Sequence, residues 1–188
     1  DALALAADGT ARRPIELGLL DGRPFVNVVA LGVAPHAAAA AVSLKSRLGA
    51  LAYPVGALLG MARAKPVELI ATVDGAPAFT GSAWQVMIAS TGAFGGWADT
   101  GGTAIGDGML DLVIVPSGRA ARRLVFDAAA LLNGDLARRE GVHHARGTEI
   151  SLELARHAHV VLDGEELSLD RRRLVARVHP RAVQVVVA

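Results

Sequence analysis

Two short acidic segments are the parts of this sequence best suited to chemistry. Residues 107–111 read Asp-Gly-Met-Leu-Asp and follow a glycine-rich stretch, and residues 163–165 read Asp-Gly-Glu and follow an apolar run. Side chains at positions i and i+2 of an extended segment point the same way, so Asp163 and Glu165 are expected side by side. Such a pair could bind a divalent cation, or one carboxylate could accept a proton. Both segments could equally be solvated hairpin turns, because Asp-Gly is a common turn dipeptide.

Other polar residues offer weaker candidates. Asp107 and Asp111 could bind a hard cation together with backbone carbonyls of the preceding glycine-rich loop. A zinc site would need three histidines to converge, because the chain has no cysteine. The histidines available for it are His143, His144, His157 and His159. Surface histidines are the alternative interpretation.

The elements that must position these residues are mostly strands. Alternating apolar residues flank Asp21-Gly22 and Asp74-Gly75, which predicts two β-hairpins. Helices are expected as an insertion over about 35–63 and over about 118–132. Further short strands, with Asp-Gly and Pro turns between them, are expected at 110–115, 150–154, 159–162, 173–178 and 183–187. The pattern predicts a mainly β fold, a β-sandwich of short antiparallel strands with a few inserted helices, in a single domain over residues 1–188.

Bulk composition excludes several classes of protein. A chain of 188 residues with 52% hydrophobic and 20% charged residues is long and apolar enough for one folded domain. The formal net charge of +1 gives no indication of nucleic-acid binding. The longest apolar stretch is broken by polar residues, glycine and proline, so no membrane span is predicted. Because the first residue is Asp1 rather than Met, the chain is expected to be a processed or excised piece.

Eight segments occur in an order that resembles a known family. The chain resembles the C-terminal domain of the diacylglycerol kinase and sphingosine kinase superfamily, the bacterial lipid kinases in particular. The matching segments are residues 15–18 (IELG), 22–27 (GRPFVN) with Gly32 close behind, 45–53 (KSRLGALAY), 73–75 (VDG), 90–96 (STGAFGG), 107–111 (DGMLD), 141–143 (GVH) and 163–165 (DGE). No single segment is specific, but their order is, and they span nearly the whole chain.

The resemblance implies roles for five residues. Asp163 would be the general base that deprotonates the lipid hydroxyl. Glu165 would lie at the ATP side of the cleft and help to place the nucleotide magnesium. Asp107 would be the side-chain ligand of a structural magnesium ion, with the backbone carbonyls of Ala104 and Met109 as partners. Many relatives have proline where this chain has Gly101, which could leave the metal loop looser.

The resemblance also implies a function that this chain would perform only in part. Such kinases carry a Gly-Gly-Asp-Gly-Thr nucleotide loop in an N-terminal domain, and this sequence has no copy of that loop. We therefore expect the substrate-side domain of an ATP-dependent lipid kinase, with ATP and Mg²⁺ as cofactors and a diacylglycerol-like or sphingoid alcohol as substrate. The fragment alone is expected to be inactive. The expected location is the cytoplasm, peripheral at the inner membrane surface.

Two other interpretations stay open at this point. The first is a non-catalytic β-sandwich module that binds lipid or metal and keeps only the fold. The second is a kinase of a soluble substrate, of the related NAD kinase type, which residues 45–53 fit less well. A homodimer is also possible, and the sequence does not name the lipid.

Overall fold

The computed structural model describes residues 9–33, 65–91, 93–94, 98–99, 106–118, 140–167 and 169–187. The helices expected over about 35–63 and about 118–132 lie outside these residues, apart from Gly118. Within the described ranges, no helix is long and apolar enough to cross a membrane.

Thirteen β-strands contain most of the described residues. Two of them, β6 and β7, form a small separate ribbon. The strands are β1 (Arg12–Leu20), β2 (Arg23–Phe25), β3 (Val28–Gly32), β4 (Val67–Val73), β5 (Ala76–Ala89), β6 (Ala93–Phe94), β7 (Ala98–Asp99), β8 (Leu110–Pro116), β9 (His143–Gly147), β10 (Glu149–Leu154), β11 (Val160–Leu162), β12 (Glu165–Leu167) and β13 (Arg173–Val186).

The other eleven strands form one sheet in which the paired strands are antiparallel. The order is β12-β11-β3-β5-β4-β10-β13-β1-β2, and β8 branches from β5 to pair with β9. The long strand β5 pairs with β4 through its first half and with β8 and β3 through its second half. Strand β5 thus belongs to two groups of strands, and the sheet can fold over on itself around it.

A hydrophobic core fills the space between these two groups. The larger cluster joins residues of β4, β10 and β13, such as Leu69, Leu152 and Leu174, to residues of β3, β5 and β8, such as Leu31 and Ile88. A second cluster covers the opposite face of β3, β5 and β8, because successive side chains of a strand point to opposite faces. Its members are Val28, Ala30, Met87, Ala89, Val113 and Val115. These three central strands are therefore buried on both faces.

The mainly β fold predicted from the sequence is confirmed, and so are the hairpins at Asp21-Gly22 and Asp74-Gly75. The turn expected between 178 and 183 is wrong, because β13 runs without a break from Arg173 to Val186. Ile15 pairs with Val183 and Leu17 pairs with His179, so three residues of β13 lie opposite one residue of β1. Pro180 sits in this bulge, a position that tolerates the missing N–H of proline.

Gly32 gives a sharp test of how β3 packs on β5. Its φ is +101°, and a Cβ added there would overlap the carbonyl oxygen of Trp84. Gly32→Ala should therefore lower the free energy of unfolding by about 2 kcal/mol or more, from backbone strain and overpacking. Urea unfolding measures this effect. Gly118→Ala is the matched control, because a Cβ there meets nothing within 4 Å; equal stability of the two variants would contradict the packing.

Candidate functional site

The Asp163-Gly164 pair forms the tight turn between β11 and β12. Leu162 and Glu165 pair across it, and both central residues have positive φ, +49° for Asp163 and +96° for Gly164. Positive φ at both central residues is typical of a type I′ hairpin turn. Residues 163–165 are therefore not an extended segment, and the reason given above for placing the two carboxylates side by side is wrong.

The carboxylate of Asp163 accepts hydrogen bonds from three consecutive backbone N–H groups. Its Oδ2 accepts from Val26 at 2.6 Å, and its Oδ1 accepts from Asn27 at 2.9 Å and from Val28 at 2.8 Å. The N–H of Asp163 in turn donates to the carbonyl of Val28 at 2.9 Å. A carboxylate offers about four lone-pair positions. Asp163 thus joins the β11–β12 hairpin to the segment between β2 and β3, and the described residues leave one position open, on Oδ2.

Two other Asp-Gly turns use the same arrangement. Asp21 and Asp74 each have a φ of +48° and precede a glycine with positive φ. Oδ1 of Asp21 accepts from the N–H of Val175 at 3.0 Å. Oδ1 of Asp74 accepts from the N–H and the hydroxyl of Thr148 and from the N–H of Glu149. All three aspartates therefore bind the backbone of another segment. Asp163 differs from Asp21 and Asp74 in the polar residues near it, Asn27 and Glu165.

Asn27 and Glu165 are the neighbours that could face a substrate. Asn27 is half-buried; its Oδ1 accepts from the hydroxyl of Thr91 at 3.0 Å, and its carbonyl accepts from the N–H of Ser90 at 2.9 Å. Among the described residues, nothing accepts a hydrogen bond from the amide nitrogen of Asn27, which leaves it available as a donor. Glu165 is exposed at the start of β12 and has no hydrogen-bond or ion-pair partner among the described residues. Together with Asp163, these side chains offer one donor and two carboxylates near one turn.

A second cluster of charges lies at the other acidic segment, where β8 begins. Oδ1 of Asp107 accepts from the N–H of Met109 at 3.0 Å, and Oδ2 of Asp107 is paired with the guanidinium of Arg146. The side chain of Asp111 is fully buried, and its Oδ1 contacts Nε2 of His144 at 2.5 Å and Nε of Arg146 at 3.2 Å. The Oδ2 atom of Asp111 is buried and has no hydrogen-bond partner in the described part of the chain. Arg146 thus bridges both carboxylates.

Burial and pairing act in opposite directions on Arg146. Desolvation lowers the pKa of this guanidinium, but the hydrogen bond to Asp107 and the charge of Asp111 outweigh desolvation, so its pKa is raised above the ordinary value. Arg146 is therefore a fixed positive charge between the two aspartates. Nearby, the buried carboxylate of Glu16 accepts from the N–H of Gly106 at 2.8 Å, which ties the start of this segment to β1.

The charge around Asp107 does not favour the structural magnesium ion expected there. Each oxygen of its carboxylate already has a partner, and one of these partners is a cation. Met109 donates its N–H to Asp107, and Ala104 lies outside the described residues. Across the described ranges, no group of three or more His, Cys, Asp and Glu side chains could hold a metal ion. The zinc site considered from the sequence therefore has no support in the described part of the chain. The ligand set of Asp107, Ala104 and Met109 stays a prediction.

Sequence reasoning gave no role to Arg146 and named His144 only as a zinc candidate. The two residues occupy positions i and i+2 of β9, and Arg146 lies directly opposite Asp111 in the pairing of β8 with β9. Residues at positions i and i+2 of a strand share a face. The alternation of residues 143–147 therefore indicates that His144 and Arg146 lie on one face of a strand. The sequence does not show that this strand pairs with the one carrying Asp111.

An antiparallel sheet folded over a hydrophobic core places this chain in the class of β-sandwich-like domains. Residues 27–187 match the family described as the YegS C-terminal NAD kinase beta sandwich-like domain. The chain belongs to this family.

Known relatives agree with that assignment. The chain is 30% identical over 191 residues to a protein of Pseudomonas aeruginosa (strain UCBPP-PA14) named "Probable lipid kinase YegS-like", covering 98% of this chain and 60% of that protein. It is 25% identical over 155 residues to a diacylglycerol kinase of Bacillus subtilis (strain 168), covering 81% of this chain and 50% of that protein. The chain thus matches 50–60% of the length of these relatives.

Solved structures show the same fold. A crystal structure of a diacylglycerol kinase from Bacillus anthracis str. Sterne superposes with a TM-score of 0.74 at 20% identity, covering 98% of this chain and 59% of that one. An NAD kinase from Archaeoglobus fulgidus in complex with ATP gives a TM-score of 0.51 at 13% identity, covering 98% of this chain and 59% of that one. At these identities the similarity establishes the fold alone.

Asp74 provides a test of the aspartate–backbone arrangement by pH. Hydrogen bonds from the backbone of Glu149 and from the side chain of Thr148 hold the pKa of Asp74 below its ordinary value of 3.8. A carboxyl group whose pKa is lower in the folded state stabilises the fold above its unfolded pKa, and this contribution is lost as pH falls through the folded pKa. The unaltered chain should therefore be more stable than Asp74→Asn at neutral pH, and the difference should shrink below pH 3.8.

Urea unfolding of both proteins at neutral pH and at about pH 3 measures this difference. A difference that stays constant over that range would show that the charge of Asp74 contributes nothing. Glu153→Gln serves as a control, because Glu153 is an exposed carboxylate on β10 with no hydrogen-bond or ion-pair partner among the described residues.

Proposed function

We propose that this chain is the substrate-side domain of an ATP-dependent lipid kinase, which phosphorylates a hydroxyl group of a diacylglycerol-like or sphingoid lipid. Family membership supports the proposal, together with the names of the relatives, a diacylglycerol kinase and a probable lipid kinase. The single observation that carries it is the Asp163 turn, because three backbone N–H groups fix its carboxylate and two further polar residues, Asn27 and Glu165, belong to the same turn and its partner segment.

In this proposal Asp163 orients the lipid hydroxyl and accepts its proton on the open position of Oδ2. The amide nitrogen of Asn27 donates to the oxygen of the same hydroxyl and fixes its direction. Phosphoryl transfer depends mainly on positioning and on neutralising charge, so a rigid acceptor suits the reaction. Glu165, which is exposed and without a partner in the described part of the chain, would hold the magnesium ion of the nucleotide as one carboxylate ligand.

The remaining partners belong to the same proposal. ATP supplies the γ-phosphate, and a nucleotide-binding domain of the kind that the family implies supplies the opposite wall of the cleft. Domain closure would then exclude water from the transfer. The substrate is drawn from a bilayer, so we propose peripheral contact with the cytoplasmic face of the inner membrane. By itself the 188-residue chain is expected to transfer no phosphate.

One observation favours a second candidate function, a non-catalytic lipid-binding module. Asp21 and Asp74 bind backbone in the same way as Asp163, and no chemistry is proposed for either. If Asp163 has only their structural role, this domain keeps the fold of a kinase without its reaction. The two candidates differ in whether the charge of Asp163 matters for transfer or only for stability.

Substitution at equivalent turns separates these two roles. In the full-length protein, Asp163→Asn should lower the rate of γ-phosphate transfer to the favoured lipid alcohol by about 100-fold or more, because it removes the proton acceptor. Asp74→Asn, at a turn of the same type, should lower stability and leave the transfer rate of the folded protein nearly unchanged. The measurement is transfer of labelled γ-phosphate from ATP to a panel of lipid alcohols, with the folded fraction of each variant determined separately.

Glu165→Gln completes the experiment. Full activity of Asp163→Asn would remove Asp163 from the role of base. A large loss in Glu165→Gln is expected from its proposed role in holding the nucleotide magnesium. The absence of transfer by the unaltered full-length protein to every lipid tested would favour the non-catalytic module.

A further inference from the structure

Residues 106–111 gather two carboxylates around one guanidinium, although the family resemblance implies a bound metal ion there. Arg146 is paired with Oδ2 of Asp107 and lies 3.2 Å from Oδ1 of Asp111. We infer that Arg146 is the built-in cation of this acidic segment and stabilises it in place of a divalent metal ion. The inference is independent of the proposed kinase reaction, because it concerns only what holds the segment in position.

Strand pairing fixes Arg146 in this position. Asp111 and Arg146 are direct partners in the pairing of β8 with β9, and Leu110 pairs with Gly147. The guanidinium therefore reaches from β9 to both carboxylates without any rearrangement of backbone. Arg146 forms two parallel contacts through different nitrogens, Nη2 and Nε, and such a planar fork suits arginine rather than lysine.

Two further contacts complete the fixation of this segment without metal. Glu16 on β1 accepts from the N–H of Gly106, and Asp107 accepts from the N–H of Met109. The segment is thus bound to β1, to β9 and to itself. A divalent metal ion at Asp107 would lie beside the positive charge of Arg146, and like charges a few ångströms apart repel strongly in a partly buried site.

The burial of Asp111 makes a cation necessary. Its side chain is fully buried, and its Oδ2 has no hydrogen-bond partner among the residues that the structure describes. A buried carboxylate without a counter-ion is strongly destabilising. Without Arg146, the only described partner left to Asp111 would be His144, and Oδ2 of Asp107 would have no partner within the described ranges. The two aspartates would then present the kind of oxygen ligands that Mg²⁺ prefers.

The test measures the thermal stability of the 188-residue chain in excess Mg²⁺ and in EDTA at equal ionic strength. We expect no change in Tm for the unaltered chain. Arg146→Gln should unfold at a lower temperature in EDTA, and Mg²⁺ should raise its Tm by about 3 °C or more, because the metal replaces the lost cation. Arg177→Gln is the control, since it removes the same charge from an exposed ion pair with Glu149 and should show no response to Mg²⁺.

Direct titration of Mg²⁺ into the unaltered chain, followed by calorimetry, needs no variant that must fold. No binding is expected. Binding of Mg²⁺ that Asp107→Asn abolishes would overturn the inference, because Asp107 would then hold a metal ion despite Arg146. A lack of any Mg²⁺ response in folded Arg146→Gln would also overturn it, because the two aspartates would then need no cation.

Discussion

The architecture depends on aspartate carboxylates that bind backbone N–H groups of a neighbouring strand. Asp21, Asp74 and Asp163 do this at three hairpin turns, and at each turn the N–H of the aspartate also donates to a carbonyl of the neighbouring segment. A hydrogen bond within a protein contributes about 0.5–1.5 kcal/mol to stability. The left-handed conformation of these aspartates has a cost of its own, which the new hydrogen bonds offset. The turns therefore fasten segments far apart in sequence.

A second constraint is the sharing of strands between two layers. Strand β5 changes partners along its length, and the bulge in β13 lets one residue of β1 face three residues of its partner. That residue is Glu16, which is buried and accepts from Gly106. A bulge commonly redirects a side chain. Irregular pairing in one part of the sheet thus supports the acidic segment at the start of β8.

Local signals in the sequence predicted much of the fold, and nonlocal contacts account for the errors. Asp-Gly between alternating apolar residues predicts a hairpin because the turn depends only on its own dihedral angles, and the turns at Asp21 and Asp74 agree. The turn expected near Pro180 was wrong because Pro180 lies in a bulge of β13, where its missing N–H costs no pairing. That bulge depends on β1, which is far away in sequence.

The candidate site follows the same division between local and nonlocal signals. The residues Asp107 and Asp163 could be named from their motifs, since a motif is local. Their partners could not be named, because Arg146 lies 39 positions from Asp107 and Val26 lies 137 positions from Asp163. Only the pairing of strands brings them together. The reason given for placing Asp163 and Glu165 on one side was wrong for a local cause, since positive φ at two consecutive residues reverses the chain.

A structural role for Asp163 is compatible with a role in transfer, and the geometry explains why. Three hydrogen bonds fix both oxygens of its carboxylate, so the remaining lone pair of Oδ2 has one direction. In phosphoryl transfer the acceptor of the hydroxyl proton contributes chiefly by orienting the nucleophile. Orientation by a mobile side chain would require side-chain entropy to be lost at each turnover, whereas at Asp163 the fold has already removed that freedom. The bonds that make Asp163 resemble Asp21 and Asp74 are thus the same bonds that would make it an effective acceptor.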